Sequence, residues 1–96
     1  KGFDTFCPFG PYISDEVDPS NLVIESRVNG KTMQKSNTNN LIFNVPFLVS
    51  YLSQIMTLLP GDIILTGTPG GISGMHHGDT VEIIIEGLGV LKNKIG

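Results

Sequence analysis

The sequence predicts an α+β chain, mainly β, and three observations carry that prediction. Runs rich in Val, Ile and Leu recur at 22–28, 62–66 and 80–86, and such side chains favour extended backbone. Asn29-Gly30 directly follows the first run, and this dipeptide is a strong hairpin signal because both positions accept positive φ. Only one stretch, 45–59, repeats its apolar residues at helical spacing.

Taken in order, residues 2–20 carry Pro8, Pro11 and Pro19 among several Asp and Ser, which predicts an irregular segment rather than a helix. A strand follows from Leu22 to Val28, the hairpin turn comes at Asn29-Gly30, and Lys31 to Gln34 returns. The tract Ser36-Asn37-Thr38-Asn39-Asn40 reads as a loop leading to Asn44, an N-cap whose side chain can accept a free backbone N–H. Val45, Leu48, Val49, Leu52, Ile55, Met56 and Leu59 then fall on one helical stripe. Pro46 fits the first turn, where its missing N–H has no helical partner, and Pro60-Gly61 stops the helix.

Asp62 to Thr66 reads as a buried strand, and the glycine-rich segment through Gly74 as a loop. Thr80 to Glu86 alternates Val81, Ile83 and Ile85 with Glu82, Ile84 and Glu86, predicting a strand with one mostly wet face. Gly87-Leu88-Gly89 turns it into a last strand, Val90 to Lys94.

Composition narrows the function classes. With 96 residues and 40% hydrophobic content, a chain of this size buries only about two thirds of its unfolded surface, so its own stability is marginal. A net charge of −3 with six unclustered Lys and Arg argues against nucleic acid and against a polybasic membrane surface. No apolar run approaches the roughly 20 residues that span a bilayer. The lone Cys7 cannot form an internal disulfide, which fits a reducing cytoplasm. The opening Lys1-Gly2-Phe3-Asp4 resembles neither a signal peptide nor a domain start, so 1–96 is expected to be the C-terminal portion of a single larger catalytic domain.

Two groups could carry chemistry. Ile63-Ile64-Leu65 ends abruptly in Thr66-Gly67-Thr68-Pro69-Gly70-Gly71, where glycines on either side of Thr68 let a ligand approach the backbone, as carboxylate or phosphate recognition requires. The competing reading is a tight turn whose threonines satisfy local carbonyls. No Gly-Lys-Ser or Gly-Lys-Thr follows, so this is not a Walker loop. Lys1 is either a surface ammonium or a cation held near a substrate oxygen. His76 and His77 are adjacent, and in an extended chain their rings point to opposite faces and do not share one metal. Asp15, Glu16 and Asp18 lack the spacing of a calcium loop.

Taken together, Lys1-Gly2-Phe3-Asp4-Thr5-Phe6-Cys7-Pro8-Phe9-Gly10-Pro11, the Asn29-Gly30 hairpin, the run from Leu58 through Gly71 and Ile85-Glu86-Gly87-Leu88-Gly89 resemble the fumarylacetoacetate hydrolase family in order and spacing. The resemblance implies a mixed β-roll whose loops hold a divalent cation, Mg2+ or Mn2+, between carboxylates. It matches none of those metal ligands within the 96 residues, because the family's Glu-x-Glu pair and further Asp lie upstream of the Lys-Gly-Phe-Asp motif.

By the same resemblance Lys1 matches the active-site lysine and Thr68 the threonine that binds the substrate's carboxylate or carbonyl oxygen. Gly67 and Gly71 shape the loop, and Thr66 is a neighbour. Tyr12 stands where many relatives carry Trp. The implied activity is metal-dependent chemistry on small 2-oxo or enolisable dicarboxylic acids: hydrolysis of a C–C bond in an acylpyruvate, or isomerisation of a 2-hydroxyhepta-2,4-diene-1,7-dioate. Oxaloacetate decarboxylation or a 2-oxo-pentenoate-type hydration are the enzymatic alternatives, and a non-catalytic β-rich domain is the contrasting one. A homodimer in the cytoplasm is the expected state.

Overall fold

The computed structural model describes residues 2–96. Its regular elements are β1 (Val23–Val28), β2 (Lys31–Asn37), a short 3-10 turn (Thr38–Asn40), α1 (Val45–Ile55), β3 (Thr80–Ile85) and β4 (Gly89–Lys94). The strands form one sheet in the order β2-β1-β3-β4, with every neighbouring pair antiparallel. The mainly-β α+β class is therefore as the sequence predicts.

Pairing register separates the sheet into two chemically different faces. On one, Ile24, Ser26 and Val28 lie beside Ile85, Ile83 and Val81, with Leu91 continuing the row of Ile83. On the other, Glu25 and Arg27 lie beside Ile84 and Glu82, with Lys35, Thr32 and Lys92 flanking them. There Glu25 accepts from Arg27 Nε at 2.8 Å, from Arg27 Nη2 at 3.3 Å and from the Thr32 hydroxyl. These bonds hold the Glu25 carboxyl down from its ordinary 4.5 to about 2, the Arg27 contact contributing most.

Two segments lie on the apolar face. Pro8, Phe9 and Pro11 share a shallow groove with Ile83, Ile85 and Leu91 at the β3–β4 side, where the Tyr12 hydroxyl donates to the Leu88 carbonyl. The glycine-rich loop meets the β2 side. Between Ser26↔Gln34 and Arg27↔Thr32 the register slips by one residue, which leaves Met33 as a β-bulge. Bulges bend a strand and re-aim its groups, and this one faces the loop.

None of the described residues is fully buried. The accessible surface is 7475 Å², against about 5,350 Å² for a self-contained monomer of this mass. The excess is apolar in kind: Phe47, Tyr51 and Ile55 on α1 are all exposed, and Phe43, Phe47 and Tyr51 stack with ring centroids 5.0 and 6.2 Å apart. These side chains leave α1 with apolar surface that the other described residues do not cover.

Three of the expected elements differ from the sequence reading by more than one residue. β2 runs through Ser36 and Asn37, so the expected loop shrinks to Thr38–Asn40. Asn44 caps α1 as predicted, its Oδ1 accepting from Phe47 N–H at 2.8 Å, but the helix ends at Ile55 instead of Leu59. The cause is the Leu59–Asp62 turn: Leu59 N–H donates to Asp62 Oδ2 at 2.8 Å, and Asp62 N–H donates to Leu59 O at 3.0 Å. A Leu59 N–H so engaged cannot reach back to Ile55, and Pro60 disfavours helical backbone at Leu59. Finally, Asp62 to Thr66 is neither a strand nor buried; Ile63 and Leu65 are about half exposed. Its apolar pattern is that of a strand, but no strand pairs with it among the described residues, and strand geometry needs a ladder partner.

Candidate functional site

Thr66, Gly67, Thr68 and Pro69 form one wall of an open groove of about 390 Å³. The end of β2 and the 3-10 turn contribute Ser36, Asn37 and Thr38, β1 contributes Ile24, and Ile42, Phe43 and Leu48 close the far side. Among the described residues none that lines the groove is ionisable. The groove thus offers hydroxyls, amides and apolar surface to a guest, while the full charge of an anion has to be met by a cation from elsewhere.

The loop is held in place from the β2 bulge. Gly71 lies at φ +99°, and a Cβ added there would stand 2.6 Å from the Met33 carbonyl oxygen. Only glycine fits: the backbone is in the left-handed region, and the loop presses against backbone rather than against a yielding side chain. Gly67, at φ +118°, faces open space; it is required by its backbone angle alone, as the reversal that presents Thr68.

One residue beyond Met33, Gln34 crosses from the strand to the loop. Its Nε2 donates to Thr68 Oγ1 at 2.8 Å and to the Pro69 carbonyl at 2.7 Å, and its Oε1 accepts from the Ser26 hydroxyl at 3.3 Å. A carbonyl can only accept, so the Pro69 contact fixes which end of the amide faces the loop. The Thr68 oxygen thereby receives a hydrogen bond while its own proton finds no acceptor among the described residues.

The site residues named from sequence separate into three groups. Thr66, Gly67 and Thr68 come together along the groove. Gly71 serves the same loop from behind, as the contact with β2 rather than as lining. Lys1 lies outside the described residues. Sequence reasoning missed Gln34, which read only as the end of a return strand. Its signal is on the sheet: Gln34, Ser26 and Ser36 lie together on the face that carries Ile24, Val28, Val81, Ile83 and Ile85, and polar groups beside such neighbours have partners to meet.

Elsewhere the polar clusters are structural. Asp79 accepts from His76 N–H at 2.8 Å and from Asn29 Nδ2 at 2.9 Å, and these bonds hold its carboxyl below the usual range, the His76 bond contributing most. Asp18 accepts both the backbone N–H and the hydroxyl of Ser20. Among the described residues no three His, Cys, Asp or Glu side chains gather to hold a metal ion, so the groove does not by itself fit a divalent cation. No helix among them is long and apolar enough to cross a membrane.

Comparison with known proteins gives this geometry its context. The family model described as fumarylacetoacetate (FAA) hydrolase, C-terminal, matches residues 1–96. A 5-carboxymethyl-2-hydroxymuconate delta-isomerase from Mycobacterium smegmatis superposes with a TM-score of 0.96 at 49% identity, over 99% of this chain and 38% of that one. The maleylpyruvate hydrolase from Sphingobium sp. SYK-6, solved in complex with manganese (II) ion and pyruvate, gives 0.92 at 42% identity, over 97% and 36%. A mitochondrial oxaloacetate tautomerase of Bos taurus is 50% identical over 105 residues, 99% of this chain and 33% of its own length. The chain spans between 33% and 43% of the length of the curated relatives it matches.

Proposed function

The chain belongs to the fumarylacetoacetate hydrolase family, and from that premise we propose that it forms the substrate-carboxylate side of an enzyme acting on small 2-oxo dicarboxylic acids through their enolic forms. The observation that carries the reading is the Thr68 hydroxyl, presented at the groove with its oxygen bonded by Gln34 and its proton unspent. The relatives' names supply the chemical class: an isomerase, a hydrolase of maleylpyruvate and a tautomerase of oxaloacetate all act on acids that enolise next to a carbonyl.

Removing a proton α to a carbonyl places negative charge on oxygen, and donors already aimed at that oxygen lower the barrier without reorganising. In this proposal Thr68 binds and orients a substrate carboxylate or carbonyl oxygen, and Gly67 lets the substrate approach the loop backbone, with Thr66 beside it. Lys1 supplies an ammonium that stabilises the enolate charge or shuttles its proton. A divalent cation, magnesium or manganese, belongs to the same reading as a Lewis acid for the 2-oxo acid. Its ligands would be carboxylates of the whole protein outside these 96 residues, since none of the described clusters fits one. The same proposal takes the whole protein as a homodimer acting in the cytoplasm, with the exposed α1 aromatics covered in the assembled protein.

C–C hydrolysis, double-bond isomerisation and tautomerisation share the enolate and diverge afterwards, so the substrate panel decides among them. The full-length protein is to be assayed with oxaloacetate, followed by the absorbance of its enol, and with acylpyruvates, maleylpyruvate and a 2-hydroxyhepta-2,4-diene-1,7-dioate, followed by the change in the conjugated chromophore. Turnover of at least one is expected. Thr68→Val should lower kcat/KM about 10- to 100-fold, the value of one hydrogen bond to a charged group. A protein inert toward the whole panel, or a Thr68→Val variant as active as the parent, overturns the reading.

A further inference from the structure

We infer that Gln34 is the positioning residue of the substrate site: it sets Thr68 as a hydrogen-bond donor and fixes the loop that presents it. The inference rests on the reading of Thr68 given above, and goes beyond it by assigning the cause of the hydroxyl's orientation to a residue on the neighbouring strand.

A threonine hydroxyl can donate once and accept, and in isolation it rotates to suit whichever neighbour is present. At this loop that freedom is removed. Gln34 Nε2 lies 2.8 Å from Thr68 Oγ1 and carries hydrogens only, so Thr68 can accept from it and not donate to it. The second hydrogen of the same amide goes to the Pro69 carbonyl at 2.7 Å, which pins the backbone directly after Thr68. The far end of the amide is itself fixed, because Oε1 accepts from the Ser26 hydroxyl on β1. Three contacts therefore leave the glutamine one orientation, and that orientation turns the Thr68 proton away from β2. Hydrogen bonds in such a chain polarise one another, so a hydroxyl that accepts becomes the better donor.

The bulge explains why this side chain reaches. Beside the register slip at Met33, the Met33 carbonyl oxygen stands 2.6 Å from where a Gly71 Cβ would be, so strand and loop meet at their backbones immediately beside Gln34. Contacts to the loop directly after Thr68, at Pro69 and Gly71, thus come from two consecutive β2 residues. An anionic carboxylate is the guest this arrangement suits: it accepts from Thr68, and among the described residues no carboxylate lines the groove to repel it.

The test is a double-mutant cycle in the full-length protein, with pyruvate as the probe, titrated calorimetrically with manganese present, and with thermal melting recorded for each variant. Gln34→Met keeps the length of the side chain and removes the donors, and it should weaken pyruvate binding about tenfold. In a Thr68→Val background the same change should cost less than about twofold, because the group it orients is gone. Gln34→Glu keeps the Ser26 acceptor but reverses the bond to Thr68 and adds a negative charge, so it should weaken pyruvate more than Gln34→Met does. It carries the same test should Gln34→Met not fold. Parental affinity in both Gln34 variants, or equal losses with and without Thr68, overturns the inference while leaving Thr68 as a ligand. Parental affinity in Thr68→Val overturns the reading of the site itself.

Discussion

Two side-chain amides each tie a turn of this molecule to a distant segment, and they differ in what they leave over. Asn29, at the β1–β2 turn with φ +51°, accepts from Thr80 N–H at 3.0 Å and donates to Asp79 Oδ1 at 2.9 Å, while its own backbone N–H donates to Thr80 O at 2.9 Å. Gln34 donates to Thr68 and Pro69 across a similar span of sequence. Around Asn29 each of these bonds ends on a partner within the fold, so the clamp contributes stability alone. Around Gln34 one group stays incomplete, the Thr68 proton beside an open groove. A clamp whose last donor has no partner among the described residues is a candidate for recognition, and the one that closes on itself is architecture.

The largest effect by which this distinction can be tested lies on the charge that the Gln34 side lacks. Among the described residues no ionisable side chain lines the groove, so the proposed substrate relies on Lys1 and on a bound cation. In the full-length protein Lys1→Met should lower kcat about 10²- to 10³-fold, the cost of removing one preorganised donor to a developing oxyanion, with an unchanged melting temperature. Steady-state kinetics alongside calorimetry would show it. A Lys1→Met enzyme with parental kcat would place the charge stabilisation elsewhere.

The mirror-image experiment is at Asn29. Asn29→Ala removes the side-chain bonds to Asp79 and Thr80 and puts alanine at a positive φ, so it should destabilise the full-length protein by about 1–3 kcal/mol. Activity at a temperature where the variant is folded should stay within about twofold, because nothing in this clamp reaches the groove. Chemical denaturation and a single-temperature rate measurement separate the two quantities. A kinetic loss as large as that of Thr68→Val would mean the clamps are coupled, and the contrast between them would fail.

The same contrast explains what was legible in the sequence. The Asn29-Gly30 hairpin, the Asn44 cap and the strand at Thr80 rest on local signals, and each appears where its residues predict. The loop at Thr66–Pro69 was legible as well, because glycines around threonines break an apolar run, and the structure sets that loop along an open groove. Asp62 to Thr66 was misread because period and composition describe what a segment could pair with, while a strand exists only where the partner is present. Gln34 escaped notice because its role depends on a loop 34 residues away and on a one-residue bulge, and neither leaves a trace in spacing. For Lys1 and Thr68 the residues alone leave a surface ammonium and a tight turn as competing readings, and only the resemblance favours a place in a site, since neither periodicity nor charge separates the two.

The smallest effect expected is a difference in acid sensitivity between the two clamps. Asp79, which anchors Asn29, has its carboxyl lowered by the His76 N–H and the Asn29 side chain, and Glu25 on the charged face is lowered to about 2 by Arg27 and Thr32. A carboxyl whose folded-state pKa is depressed stabilises the fold above its ordinary value and loses that contribution as pH falls toward the depressed one. For Glu25 the window runs from 4.5 down to about 2, and for Asp79 it begins at the ordinary 3.8. Gln34, Thr68 and Pro69 contain no ionisable group, so their clamp has no such window. The melting temperature of the full-length protein should therefore fall as pH drops below about 4.5, and Glu25→Gln and Asp79→Asn should each flatten part of that slope. Gln34→Met should leave the slope as it is, shifting the curve at most as a whole. An Asp79→Asn variant as acid-sensitive as the parent would show that the Asn29 clamp holds through its amide and backbone bonds alone, leaving the fold's electrostatics concentrated on the Glu25–Arg27 face.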